Sequence, residues 1–157
     1  MRGLYDEICD AANGQLNNPF TASREYLAGV NVFLGQFKIQ AVYQASRTSG
    51  MTNTPTTTDD QEWGDVTWQV TPASALIAAV YHVNANNGAS NANIYTIGGS
   101  YNLSKRTLLD IQIASARNSK NANFGLNANS AGDTVSTDNP LPGHNQTGVY
   151  AGIQHSF

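Results

Sequence analysis

Charge is the first thing this chain lacks. Asp, Glu, Lys and Arg make up 12% of its 157 residues, about half the share usual in globular domains. The formal net charge of −3 offers no basic stripe for nucleic acid. Long hydrophobic runs are missing too, so no transmembrane helix is expected. The single cysteine, Cys9, excludes an internal disulfide. The start, Met1 to Glu7, has no apolar core of the kind a signal peptide needs. Export is therefore expected only of a mature or truncated product. His82, His144 and His155 are scattered without metal-ligand spacing, and no serine sits in a nucleophile elbow. Asp59, Asp60 and Glu62, and Asp133 with Asp138, stand in polar stretches and read as solvated loop charge. No catalytic residue, metal or cofactor is expected, and the chain does not read as an enzyme.

What is present is alternation. Most of the seven Tyr, five Phe and two Trp fall inside segments of period two, the signature of half-buried strands. Seven strands are expected, at Arg24–Leu34, Phe37–Ser46, Trp63–Thr71, Ser74–Asn84, Asn93–Leu103, Thr107–Arg117 and Gln146–Phe157. In the second, Phe37, Ile39, Ala41 and Tyr43 alternate with Lys38, Gln40 and Gln44. In the third, Val66, Trp68 and Val70 oppose Asp65, Thr67 and Gln69. In the sixth, Leu109, Ile111 and Ile113 oppose Asp110 and Gln112. The fourth is the most apolar, and either of its faces is a plausible lipid face. Gly98-Gly99 and the pair Gly148 and Gly152 lie inside strands and read as close-packing positions.

Connections alternate short and long. Gly35-Gln36, Thr71–Ala73 and Ser104–Arg106 are tight, whereas Arg47–Glu62, Ala85–Ala92 and Asn118–Asn145 are long and polar. Turns at one end and loops at the other are the habit of an outer-membrane barrel, and strands of about 9–11 residues suit a tilted bilayer crossing. A soluble antiparallel sandwich also alternates but has no reason to sort its connections this way. The ending sharpens the case. Val149, Ala151, Ile153, His155 and Phe157 share one face, against Tyr150, Gly152, Gln154 and Ser156. A carboxyl-terminal aromatic fits the lipid–water boundary better than the frayed end of a soluble domain.

Three stretches carry a family resemblance: Tyr95 to Thr107 (YTIGGSYNLSKRT), Asn123 to Leu126 (NFGL), and Val149 to Phe157 (VYAGIQHSF). Together they resemble the general trimeric porins of Gram-negative bacteria, of the betaproteobacterial type. The likeness runs from about Arg24 to Phe157. Gln154 stands where the family usually has Arg. The resemblance implies an all-β, antiparallel up-and-down transmembrane β-barrel, this chain holding about seven carboxyl-terminal strands of sixteen. Residues 1–22 would be an external loop or a non-family start, and residues 23–157 the strands. It further implies the outer membrane, passive diffusion of ions and small hydrophilic solutes, a homotrimer in the full-length family, and contact with outer-membrane lipid. The barrel-assembly machinery would read Val149, Ala151, Ile153, His155 and Phe157. Candidate pore-lining residues are Lys38, Gln40, Gln44, Asp65, Thr67, Gln69, Asp110, Gln112, Tyr150 and Gln154, with Lys38, Asp65 and Asp110 contributing to the wall potential. The alternative is a small complete barrel of eight strands with a structural or adhesive role, which would need Leu4–Gln15 as a strand against the acidic Asp6, Glu7 and Asp10.

Overall fold

Alternating residues become a ladder when each strand finds an antiparallel neighbour, and here every consecutive pair does. The structure, a computed structural model, describes residues 2–9, 20–50, 57–85, 90–126 and 139–157. These form β1 (Arg2–Cys9), β2 (Phe20–Leu34), β3 (Phe37–Gly50), β4 (Thr57–Thr71), β5 (Ser74–Ala85), β6 (Ser90–Ser104), β7 (Thr107–Asn118) and β8 (Gln146–His155). They make one sheet in chain order, β1 to β8. Among the described residues the meander is open: β1 pairs only with β2, and β8 only with β7.

All seven expected strands are there, as β2 to β8. The eighth corrects the reading of residues 1–22 as loop or non-family start, because Arg2–Cys9 pairs in register with Ala22–Gly29. Acidic residues argued against a strand there. A barrel strand that meets water on one face tolerates charge there, where the register puts Asp6 opposite Glu25, while Glu7 lies opposite Arg24, past Tyr26 at the edge of the apolar band. Other strands run past their expected ends. Ser46 pairs with Asp59, Arg47 with Thr58 and Ala85 with Ser90, so the loops are shorter than the alternation implied. Beyond the bilayer both faces of a strand are wet, and the period-two signal fades while the backbone ladder continues. The Arg47–Asp60 ion pair (2.7 Å) and the Tyr43 hydroxyl donating to Asp60 (3.2 Å) tie this overhang together.

The tight turns at the other end are built locally. Gly35 adopts φ +59° between β2 and β3, a conformation that costs other L-residues. The Thr71 hydroxyl accepts from the backbone N–H of Ala73 (3.2 Å) and of Ser74 (3.0 Å). Ser104 does the same for Arg106 (3.1 Å). Register shifts at Gln69/Thr71 and Asn102/Ser104 mark bulges at this end, where barrels bend their rims.

There is no conventional core. Among the described residues the buried apolar side chains are all alanines: Ala45, Ala92, Ala116 and Ala122. Large apolar side chains are instead displayed mostly on one face, with Ile97 62%, Val149 69% and Ile153 69% exposed. An exposed apolar surface of this extent is foreign to a soluble domain. The cross-strand registers put Val32, Ile39, Val66, Ala78, Ile97, Ile113 and Val149 in one row. On that outer face no charged residue interrupts Phe37–Tyr43, Gly64–Val70, Tyr95–Leu103 or Val149–Ile153. The ambiguity in the fourth expected strand resolves with it: Leu76, Ala78 and Val80 lie outward, and Ala75, Ile77 and Ala79 inward.

Candidate channel wall

Because side chains alternate strictly, the residues opposite the apolar band occupy the inner face as a set. The ladder brings all ten candidate lining residues onto it. Lys38 stands opposite Thr67, and Gln40 opposite Asp65. Gln69 pairs with Ala75, Asp110 with Ser100 and Gly152, Gln112 with Gly98 and Tyr150, and Leu108 with Gln154. Gln44 donates to the Glu25 carboxylate across β2 and β3. Two of the ten are partly committed to the fold. Gln69 donates to the Thr71 and Ser74 carbonyls at 2.7 and 3.2 Å, tethering itself to the turn. Tyr150 folds over Gly152, where a Cβ would also meet Asp110 Oδ1 at 2.8 Å. The glycine thus makes room for an aromatic ring lying along the sheet.

The charge on this face is lopsided. On the described strands, Lys38 faces inward with Glu25, Asp59, Asp65 and Asp110, one cation against four anions, and a second cation, Lys120, stands in the stretch after β7. Gln61 donates to Asp59 (2.7 Å). Asp65 Oδ1 has no hydrogen-bond partner among the described residues. A shallow hollow of about 180 Å³ between Thr67, Ile77, Ser100, Asp110 and Gln112 completes a surface that is hydrophilic in patches and apolar between them. Among the described residues no His, Cys, Asp and Glu cluster could hold a metal.

The terminal residues Val149, Ala151, Ile153 and His155 lie on the outer face, as their period demands. His155 Nδ1 is 2.9 Å from the Thr107 hydroxyl. Its ring meets that of Phe157 edge-on at 4.9 Å. At the same end Phe37 and Trp68 stack at 5.8 Å, and Tyr101 stands on the same face. Tyr26, Tyr43 and Tyr95 mark the opposite boundary of the band. Two aromatic belts around an apolar strip are what both interfaces of a bilayer select.

This geometry agrees with what the chain is similar to. The sequence profile of the Gram-negative porin family matches residues 8–121. The chain belongs to that family. An anion-selective porin from Comamonas acidovorans has the same fold, with a TM-score of 0.77 at 22% sequence identity. The match covers 88% of this chain and 40% of that one, so the present chain spans less than half the length of its structural relative. No curated protein matches it. Family and fold are those of an outer-membrane channel rather than of an enzyme.

One part of the site was not anticipated. The stretch after β7, read as a polar loop, turns back over the inner face near β6 and β8. Ser119 exchanges hydrogen bonds with Asn91 (2.8 and 3.0 Å), and the Leu126 amide donates to Gln146 Oε1 (2.7 Å). The sequence held a signal for this in Phe124 and Leu126, two large apolar residues in a polar loop. Trp63 and Tyr81 are the second omission. They are cross-strand neighbours on the inner face, where alternation predicts polar residues.

Proposed function

We propose that the inner face of this sheet is part of the wall of a water-filled pore through which ions and small hydrophilic solutes diffuse passively. The supporting observation is the contrast between the two faces. An uncharged apolar band bounded by aromatic belts lies on one, and Lys38, Gln40, Gln44, Asp65, Thr67, Gln69, Asp110, Gln112, Tyr150 and Gln154 lie on the other. Water on one side and lipid on the other accounts for both. Four carboxylates against two ammoniums, Lys38 and Lys120, make this stretch of wall favour cations, since fixed charge in a narrow aqueous path biases ion entry. The relative from Comamonas is by name anion-selective. The balance here is of the opposite sign.

The partners follow from the same faces. Outer-membrane lipid covers the apolar band, and the barrel-assembly machinery reads Val149, Ala151, Ile153, His155 and Phe157 on the exposed last strand. A homotrimer is the assembly proposed for the full-length family. The eight-strand count suits a small self-contained barrel, but β1 and β8 do not pair with each other, which favours a segment of a larger barrel.

Thiol scanning along β7 tests the wall. In a Cys9→Ala background, Asp110→Cys and Gln112→Cys in lipid vesicles are expected to react with a membrane-impermeant cationic methanethiosulfonate. Leu109→Cys, Ile111→Cys and Ile113→Cys are expected to stay unmodified. Equal labelling of both sets, or the reverse pattern, refutes the proposal.

A further inference from the structure

The end of β7 solves a problem that a loop turning inward must face. A chain leaving a sheet carries backbone groups that need partners wherever water is excluded. One side chain supplies three of them. Asn118 Oδ1 accepts from the Phe124 amide (3.0 Å), while its Nδ2 donates to the carbonyls of Phe124 (2.9 Å) and His144 (2.8 Å). Its own backbone N–H donates to Asn145 Oδ1 (3.0 Å). Asn118 thereby joins the outgoing and the returning arms of the connection. Gly143 closes the knot, its N–H donating to the Ala122 carbonyl (2.8 Å).

The segment so held lies on the pore side. Asn118 follows Ala114 and Ala116 on the inner face of β7, opposite Ala92, while Gly148 faces Ala114 from β8. Leu126 Cδ1 comes within 3.2 Å of where a Cβ on Gly148 would lie. The three most deeply buried described apolar residues gather here, Ala92 at 1% and Ala116 and Ala122 at 0% exposure, with Asn123 at 6%. Elsewhere on the described inner face only Gly98 is buried. Three alanines and a glycine are what a wall needs if a backbone is to approach it closely.

We propose that Asn118 is the positioning residue that holds Ser119–Leu126 across the inner face, so that this segment narrows the mouth of the pore and limits the size of solute admitted. This rests on the reading of that face as the channel wall. The role needs a donor and an acceptor at one reach. Aspartate keeps the acceptor but turns a charge toward two carbonyls, and alanine offers neither.

Cysteine accessibility and amide exchange together test it, in refolded chain in lipid vesicles with Cys9→Ala. Ala116→Cys, beneath the segment, is expected to react with the cationic methanethiosulfonate at least about tenfold more slowly than Gln112→Cys, since buried thiols are inert. Adding Asn118→Ala is expected to abolish that difference and leave Gln112→Cys unchanged. Independently of any cysteine, hydrogen exchange in residues 119–126 is expected to accelerate about tenfold or more in Asn118→Ala and Asn118→Asp. If Ala116→Cys reacts as fast as Gln112→Cys with Asn118 intact, or exchange is unchanged in both variants, the proposal is overturned. If Gln112→Cys is inert to reagent from either side, the channel-wall reading fails, and this proposal fails with it.

Discussion

Gly98 and Gly99 are neighbours in one strand with opposite surroundings, and replacing each by alanine gives a sharp test of the face assignment. A Cβ on Gly98 would lie 2.8 Å from the Ile111 carbonyl oxygen and 2.8 Å from Gln112 Cγ. Gln112 can swing away, but the carbonyl belongs to the β6–β7 ladder and moves only with it. A Cβ on Gly99 meets Leu76 Cδ2 at 3.0 Å and the Ala75 carbonyl at 3.5 Å, and the leucine can change rotamer. Either substitution stiffens the unfolded chain, worth about 0.4–1 kcal/mol in favour of folding. Overpacking at Gly98 costs about 1–3 kcal/mol. The net expectation is a loss of about 1–2 kcal/mol for Gly98→Ala, and no change to a slight gain for Gly99→Ala. Reversible urea unfolding in lipid vesicles, followed by the fluorescence of Trp63 and Trp68, measures both. Equal effects, or a Gly99→Ala loss exceeding that of Gly98→Ala, would refute the assignment of Gly98 to the crowded inner face.

Three further outcomes are expected. Ile111→Arg places a charge in the apolar band and is expected to cost about 2–4 kcal/mol, while Gln112→Arg one residue on changes stability little; the same unfolding assay compares them. Gly35→Ala is expected to cost about 1–2 kcal/mol, because φ is +59° with nothing within 4 Å of the added carbon, leaving backbone strain as the whole effect; Gly35→Asn is expected to recover most of it in the same measurement. Neutralising the wall with Asp65→Asn and Asp110→Asn is expected to lower the ratio of cationic to anionic methanethiosulfonate rates at Gln112→Cys. That ratio is expected to approach one even without the substitutions in 1 M salt, where the Debye length shrinks to about 3 Å; a ratio insensitive to both changes removes the electrostatic argument.

The strands were legible wherever one face meets lipid and the other water. There Ile111, Gln112 and Ile113 fix orientation by themselves, and the same rule placed all ten lining candidates on one face. It failed in three kinds of place for a physical reason, and at one aromatic pair without one. Ser46–Gly50 and Thr57–Glu62 lie above the band, where both faces are wet and composition carries no period. Arg2–Cys9 mixes acidic and apolar residues at a sheet edge, so its pairing depends on β2 rather than on its own pattern. The folding-back of Ser119–Leu126 depends on Asn118 reaching Phe124 and His144, contacts with no local periodicity. Trp63 and Tyr81 break the rule outright: they are aromatics on the inner face, and nothing in the structure explains them.

The open edges turn the strand count into an argument about assembly. Along β1 and β8 half of the backbone N–H and C=O groups lack a neighbouring strand. In lipid each such group costs several kcal/mol, so spanning sheets close, here on another copy of the chain or on further strands. An even number of antiparallel strands leaves β1 and β8 running in opposite directions. Closing on such edges with antiparallel pairing requires an even number of further strands, and a chain of seven would have required an odd one. The strand that the sequence concealed, Arg2–Cys9, therefore decides what can complete the barrel. Whatever pairs with β8 must also leave its inner face open beneath Ser119–Leu126, because that segment already occupies the space above Ala116 and Gly148.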